Sequence, residues 1–256
     1  MSLNIEPFNS VWWILVAITI ALIVLIKLLY HDRDEAMRRS LVISLCLFNL
    51  LVFIWYKYNL SQDAEFMADY NMETFNIWME LPLQLCNINI WLIPVALMLR
   101  NERLTAFCFY TAPLGALMAM VSPVAAFSGD LLLPRNIGYY GMHCIDIVNG
   151  VSLLTLGLFK PQLRDVPWVL GILAAGTAVM HMVNMTIRAV GLGPANYLFT
   201  FGTDGSGALE ALWSLVPVPL LYLYLVLPLV AAWLYGLTAL LILPQRRREK
   251  SPQISA

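Results

Sequence analysis

Charge is what this sequence has least of. Only 12% of its 256 residues are Asp, Glu, Lys or Arg, about half the ~25% of an ordinary soluble domain. The net charge of −1 argues neither for nor against a nucleic-acid partner, and no basic motif suggests one. The four cysteines never form a CxxC pair, and the three histidines never form HExxH. Walker and GxGxxG loops are absent as well, so the motif-borne phosphate, dinucleotide and zinc chemistries have no sequence basis. No metal and no cofactor are therefore expected. The chain also has no internal repeat, whereas many transporters are built from inverted repeats.

What remains is apolar. Hydrophobic residues make up 60% of the chain and mean hydropathy is +0.74. Long charge-free runs recur, unlike the short alternating segments of a β-barrel. The pattern predicts an all-α polytopic membrane bundle of about seven transmembrane helices, near 11–30, 39–59, 82–99, 104–122, 137–158, 167–188 and 213–243. Each is long enough for the ~20 residues that cross hydrocarbon. The last contains Pro217, Pro219 and Pro228, so a kink or tilt is expected there. The first lacks a basic n-region and is followed by Lys27 and HDRDEAMRR, which is not a cleaved signal peptide.

Twelve of the fifteen Lys and Arg residues fall on one side of these spans; only Lys57, Arg135 and Arg188 fall on the other. The positive-inside rule then puts the N-terminus outside and the C-terminus in the cytoplasm. Residues 1–245 form a single transmembrane domain, and 246–256 a basic cytoplasmic tail. The outer loop near 191–210 holds five glycines and reads as flexible or re-entrant.

Polar residues inside spans are costly and face the bundle interior. Here they share a layer. Cys86 lies six residues past Glu80, about 9 Å down the third span; His143 and His181 lie at a similar depth, roughly 10–12 Å from the outer ends of theirs. Tyr139, His143 and Asp146 form one stripe, and Thr177, His181, Asn184 and Arg188 another. Glu80, Gln84, Asn87 and Trp91 line one face of the third span, while Pro82, Cys86 and Asn89 line a second. These stripes suit a polar pocket that opens outward.

A Cys and a His at one depth suggest a nucleophile and its general base. A thiol attacks an acyl carbonyl as thiolate, which an adjacent imidazole can generate. Asp146 can fix the His143 tautomer or pair with another helix. Asn87, Asn89 or Asn184 can donate to an oxyanion. The plainer readings are packing cysteines, above all Cys46 and Cys108, a Cys86–Cys144 disulfide, and interhelical hydrogen bonds at His143–Asp146 and His181–Asn184. The same stripes would equally serve a non-enzymatic transporter or small-ligand-binding membrane protein.

LPLQLC at 81–86, GMHC at 141–144, Asn184 and NYLF at 196–199 together resemble the YwaF-type integral membrane proteins of bacteria. That family is similar to a vertebrate transmembrane acyltransferase that moves acyl chains between phospholipids. More distantly, it is similar to the androgen-induced membrane hydrolases. The resemblance covers about residues 38–243. It implies a multi-pass protein of a bacterial-type cell membrane, with Cys86 as acyl-thioester nucleophile and His143 as its partner. Many bacterial members carry Asp after the Cys, where this chain has Asn87. The expected activity is lipid acyl transfer or lipid-ester hydrolysis in the outer leaflet. Membrane phospholipids and lysophospholipids serve as donor and acceptor, and Gln84, Asn87, Asn89, Tyr139, Asp146, His181, Asn184 and Asn196 serve as supporting or substrate-binding residues.

Overall fold

The computed structural model describes residues 3–69 and 72–250. Helices dominate it: α1 (Ser10–Tyr30), α2 (Glu35–Leu60), α3 (Ala64–Asp69), α4 (Leu85–Met98), α5 (Glu102–Val121), α6 (Pro134–Thr155), α7 (Asp165–Ala189), α8 (Gly207–Leu215), α9 (Leu221–Tyr224) and α10 (Leu227–Lys250). Two short strands, β1 (Asn4–Ile5) and β2 (Gly129–Asp130), pair antiparallel and tie the N-terminal segment to the entry of α6.

Local signals set the helix starts. Asn9 accepts from the Trp12 amide at 2.9 Å, Asp34 from the Met37 amide at 2.8 Å, and Asn101 from the Arg103 and Leu104 amides at 3.1 Å. Each side-chain oxygen thereby satisfies N–H groups that the first helical turn leaves open. Pro134 opens α6, a position where its missing N–H costs nothing.

Among the described residues five segments are long and apolar enough to cross a membrane: α1, α2, α5, α7 and the stretch Leu221–Leu243. α4 is apolar but only 14 residues long. α6 has the length, with 22 residues, but carries Arg135, Asn136, His143, Asp146 and Asn149. The expected seventh span is broken into α8, α9 and α10, with Pro217 and Pro219 in the non-helical step between the first two. α10 continues through RRREK to Lys250, and residues 251–256 of the expected tail lie outside the described residues.

α6 runs through the middle. It packs on α1, α2 and α5 and touches α4, which itself lies against α2 and α5. Small residues set the close approaches. A Cβ on Gly138 would sit 2.6 Å from the Tyr56 Cβ of α2, and one on Gly150 would sit 2.6 Å from the Pro113 Cδ of α5. Two apolar clusters stack along the bundle. One gathers Val42, Cys46, Ile93, Leu97, Cys108 and Leu153. The other gathers Trp12, Phe53, Tyr56, Ile90, Phe127, Tyr139 and Met142. Cys46 and Cys108 are fully packed in the first, as small apolar residues. Ile14, Ile18, Leu25 and Leu28 of α1, Leu47 and Leu51 of α2, and Val179 and Met182 of α7 turn outward. Such an apolar exterior is the surface a helix presents to lipid.

Candidate functional site

Cys86 sits in the first turn of α4, directly after Gln84 and Leu85. The backbone there is held close to α5, where a Cβ on Gly115 would stand 3.6 Å from the Cys86 nitrogen. Its thiol donates to Asn87 Oδ1 at 3.6 Å. Cys86 keeps 9% of its surface accessible, against 1% for Cys46 and 0% for Cys108, so it is the more reachable of these thiols. All four cysteines are free. Cys144 points to α1, where it meets Thr19, and the Cys86–Cys144 disulfide weighed above is not formed.

His143 is buried on α6 with its ring 4.5 Å from that of Tyr139. Its Nδ1 lies 2.6 Å from the Tyr139 carbonyl oxygen. A carbonyl only accepts, so Nδ1 carries the proton and Nε2 keeps the lone pair. Tyr139 is itself fixed: its hydroxyl donates to the Ala119 carbonyl at 2.9 Å and its ring stacks on Phe127 at 4.2 Å. The tautomer is thus set by a backbone carbonyl of the same helix and not by Asp146. Asp146 pairs elsewhere, accepting from Asn49 Nδ2 of α2 at 2.7 Å.

The helices of Cys86 and His143 meet. Ile90, one turn beyond Cys86, packs in the same cluster as Tyr139 and Met142, which flank His143. Among the described residues the hydrogen bonds of both groups stay on their own helices. Lys57 lies within electrostatic range of both side chains and forms an ion pair with Glu80 at 2.5 Å. Asn49 is not among the residues expected from the sequence, although it is a polar side chain within the apolar run 45–53, the signal that marks an interior contact.

The remaining expected site residues divide. Asn89 accepts from Thr111 at 3.2 Å and donates to the Leu85 carbonyl at 2.8 Å, bonds that tie α4 to α5 and to itself. Gln84, Asn184 and Asn196 act together on the loop that follows α7. Asn184 Nδ2 donates to the Tyr197 carbonyl and to Thr200 at 2.8 and 2.9 Å, and its Oδ1 accepts from the Tyr197 amide at 3.0 Å. Gln84 Oε1 accepts from the Leu198 amide at 2.9 Å, two residues before Cys86. Asn196 bonds Gly202, Asp204 and Phe201. His181 stacks on Phe201 at 4.5 Å, with Arg188 over the same ring at 4.2 Å.

This loop is pinned and not slack. Leu198 and Phe199 both take left-handed backbone, at φ 55° and 58°, a cost that the surrounding bonds maintain. Tyr197 donates to the Trp78 carbonyl at 2.6 Å and accepts from the Leu81 amide, and burial pushes its phenol up to about 12. The glycines supply turns, but Asn and Tyr side chains fix them. Nearby, residues 72–79 and Gly191, Leu192 and Pro194 enclose a surface hollow of about 540 Å³, which neither Cys86 nor His143 lines.

A family model described as the TMEM164 family matches residues 6–237. No curated protein and no solved structure matches the chain. The match spans every helix from α1 to α9 and α10 as far as residue 237, and the outward apolar surface agrees with it: the chain belongs to the TMEM164 family and is a multi-pass membrane protein.

Proposed function

We propose that the protein transfers or hydrolyses lipid acyl groups through a thioester on Cys86. His143 Nε2 takes the Cys86 proton, and the thiolate adds to the carbonyl carbon of a phospholipid ester. The tetrahedral oxyanion collapses with cleavage of the carbon–oxygen bond to glycerol, and His143 returns the proton to that oxygen. A lysolipid leaves, and the acyl group stays on sulfur. An incoming lysolipid hydroxyl, or water, then gives its proton to His143 and attacks the thioester. The carbon–sulfur bond breaks and the thiol is restored. Before the first step the thiol turns from Asn87 towards Nε2.

The observation that carries this reading is the bond from His143 Nδ1 to the Tyr139 carbonyl, which leaves Nε2 the basic nitrogen. The accessible remnant of Cys86, at the N-terminal turn of α4, supports it, because the helix dipole there favours a thiolate. The resemblance of LPLQLC, GMHC and NYLF to YwaF-type proteins and their acyltransferase relatives points to the same pair.

With this chemistry goes a topology of seven spans, N-terminus outside and basic C-terminus in the cytoplasm. The three cations assigned to the outer face support that placement, since each is committed to a structural contact. Lys57 pairs with Glu80, Arg135 with Asp63 and Glu65, and Arg188 bonds the Ala195 and Pro194 carbonyls.

The test is intact-mass spectrometry of purified protein incubated with defined phospholipid vesicles. The wild type gains an acyl mass at Cys86, and hydroxylamine removes it. Equal acylation of the wild type and Cys86→Ala would end the nucleophile assignment and leave the ligand-binding reading in its place.

A further inference from the structure

A second polar site lies deeper in the bundle, between the two apolar clusters. On α2, Asn49 is flanked by Cys46 of one cluster and Phe53 of the other. On α6, Asp146 and Asn149 stand between Met142 and Leu153 of the same two clusters. Asn49, Asp146 and Asn149 are all 0% exposed. Asn49 Nδ2 donates to Asp146 Oδ1 at 2.7 Å and to the Met142 carbonyl at 3.3 Å. That uses both amide hydrogens and, among the described residues, leaves Asn49 Oδ1 without a partner. Asp146 Oδ2 has none either, nor does either polar atom of Asn149.

These atoms lie together. Asp146 and Asn149 are three residues apart on one helix, where side chains are neighbours at ~5–6 Å between Cβ atoms. Asn149 is two turns from both Met142 and Leu156, whose carbonyls accept from Asn49 and Arg38 of α2. A seven-residue step returns to the same face, so Asn149 also faces α2. Four polar atoms without partners, one of them a carboxylate oxygen, therefore meet at the α2–α6 seam. Unmatched buried polar groups are rare, and an isolated buried carboxylate is the most costly of them. Among the described residues no Lys or Arg pairs with Asp146.

We propose that this seam holds a sodium ion, ligated by Asp146 Oδ2, Asn49 Oδ1 and Asn149 Oδ1. The donor set is hard and oxygen-only, and it carries one negative charge. That matches a monovalent alkali cation better than a divalent ion, which seeks more carboxylates, or a transition metal, which seeks imidazole or thiolate. One charge on the ion balances one on the carboxylate, and the ion joins α2 to α6 where their apolar packing is interrupted. The site is independent of the acyl-transfer reading, and its test measures binding without turnover.

The experiment is thermal unfolding of the full-length protein in detergent, with sodium chloride titrated against choline chloride at constant ionic strength. The wild-type midpoint should climb saturably, by about 4 °C once sodium reaches roughly ten times its dissociation constant. In Asp146→Asn the climb should vanish. Asn149→Ala keeps the carboxylate and loses one ligand, so its half-saturating sodium concentration should rise by about tenfold; this variant carries the test if Asp146→Asn does not fold. A wild-type midpoint equal in the two salts overturns the proposal. So does a sodium response that persists unchanged in either variant.

Discussion

Gly138 and Gly141 lie three positions apart on α6, yet substituting them with alanine should move stability in opposite directions. A Cβ on Gly138 would stand 2.6 Å from Tyr56 Cβ, 2.7 Å from Cδ2 and 2.9 Å from Cγ. Carbon atoms settle at ~3.5–4.0 Å. Tyr56 Cβ is fixed by its own backbone, so rotating the ring does not relieve the nearest contact, and α2 and α6 must part by roughly 1 Å. Such overpacking costs about 1–3 kcal/mol, while replacing a helical glycine returns up to ~1 kcal/mol. The net loss is about 1–2 kcal/mol, which for a chain of this size lowers the melting midpoint by roughly 4 °C. A Cβ on Gly141 meets nothing within 4 Å; there only the helix-propensity gain acts, and the midpoint should rise by about 2 °C. Fluorescence-detected melts of Gly138→Ala and Gly141→Ala beside the wild type decide it. If Gly138→Ala melts at or above the wild type, or both variants shift the same way, the close α2–α6 contact that positions Asn49 against Asp146 is wrong.

Further outcomes are as specific. His143→Asn keeps a donor for the Tyr139 carbonyl but removes the base, so acylation of Cys86 should slow by ~10²–10⁴-fold while the melting midpoint stays close to the wild type; wild-type acylation kinetics would refute the base assignment. Asn184→Ala breaks three bonds to the loop at 197–200 and should cost about 2–4 kcal/mol. Hydrogen exchange at Tyr197 should accelerate with it, and unchanged exchange would show that other contacts hold the loop. Tyr197 gives an alkaline signature: an unfolded tyrosine ionises near ~10, whereas burial in the folded loop holds this phenol up to about 12. Between those values the unfolded chain has lost its proton and the folded chain has not, so the stability present below ~10 is lost as pH rises through the window. Tyr197→Phe should flatten that alkaline limb of the stability curve, and an identical limb would refute the shift.

Most of the helices were legible from hydropathy, and their ends only to within a few residues. Asn101 and Pro134 are sequence-level start signals, and the α5 boundary expected at 104 falls at Glu102. Pro217 and Pro219 announced a disturbed last span, but composition alone does not say whether a proline kinks a helix or ends it; here the helix ends and restarts twice. The site was legible as a set of residues and less so as a set of bonds. Periodicity put Tyr139, His143 and Asp146 on one stripe, and nothing in that spacing says that the Tyr139 backbone, not the Asp146 carboxylate, holds the imidazole. Gln84, Asn184 and Asn196 were visible as polar residues, but their shared task of pinning 197–201 depends on a non-local approach of the loop to the start of α4. Glycine-rich composition suggested a flexible or re-entrant loop there, and the flexible alternative fails because composition records the turns and not the hydrogen bonds that close them.

The polarity of α6 has a single cause that also explains why it is less apolar than the five segments long and apolar enough to cross a membrane. A spanning helix needs an apolar surface only where it meets lipid. α6 is walled by α1, α2, α4 and α5, and thirteen of its residues are buried, among them Arg135, Asn136, His143, Asp146, Asn149 and Ser152. Its neighbours, not the acyl chains, form its solvent. It can therefore carry an ion pair at its start with Asp63 and Glu65, an imidazole one layer down held by its own backbone, and a carboxylate one turn deeper against α2. The apolar criterion is met by α1 and α7, whose outward faces are Ile, Leu, Val and Met. In this bundle the long helix that departs most from the apolar pattern is the one where polar chemistry is concentrated.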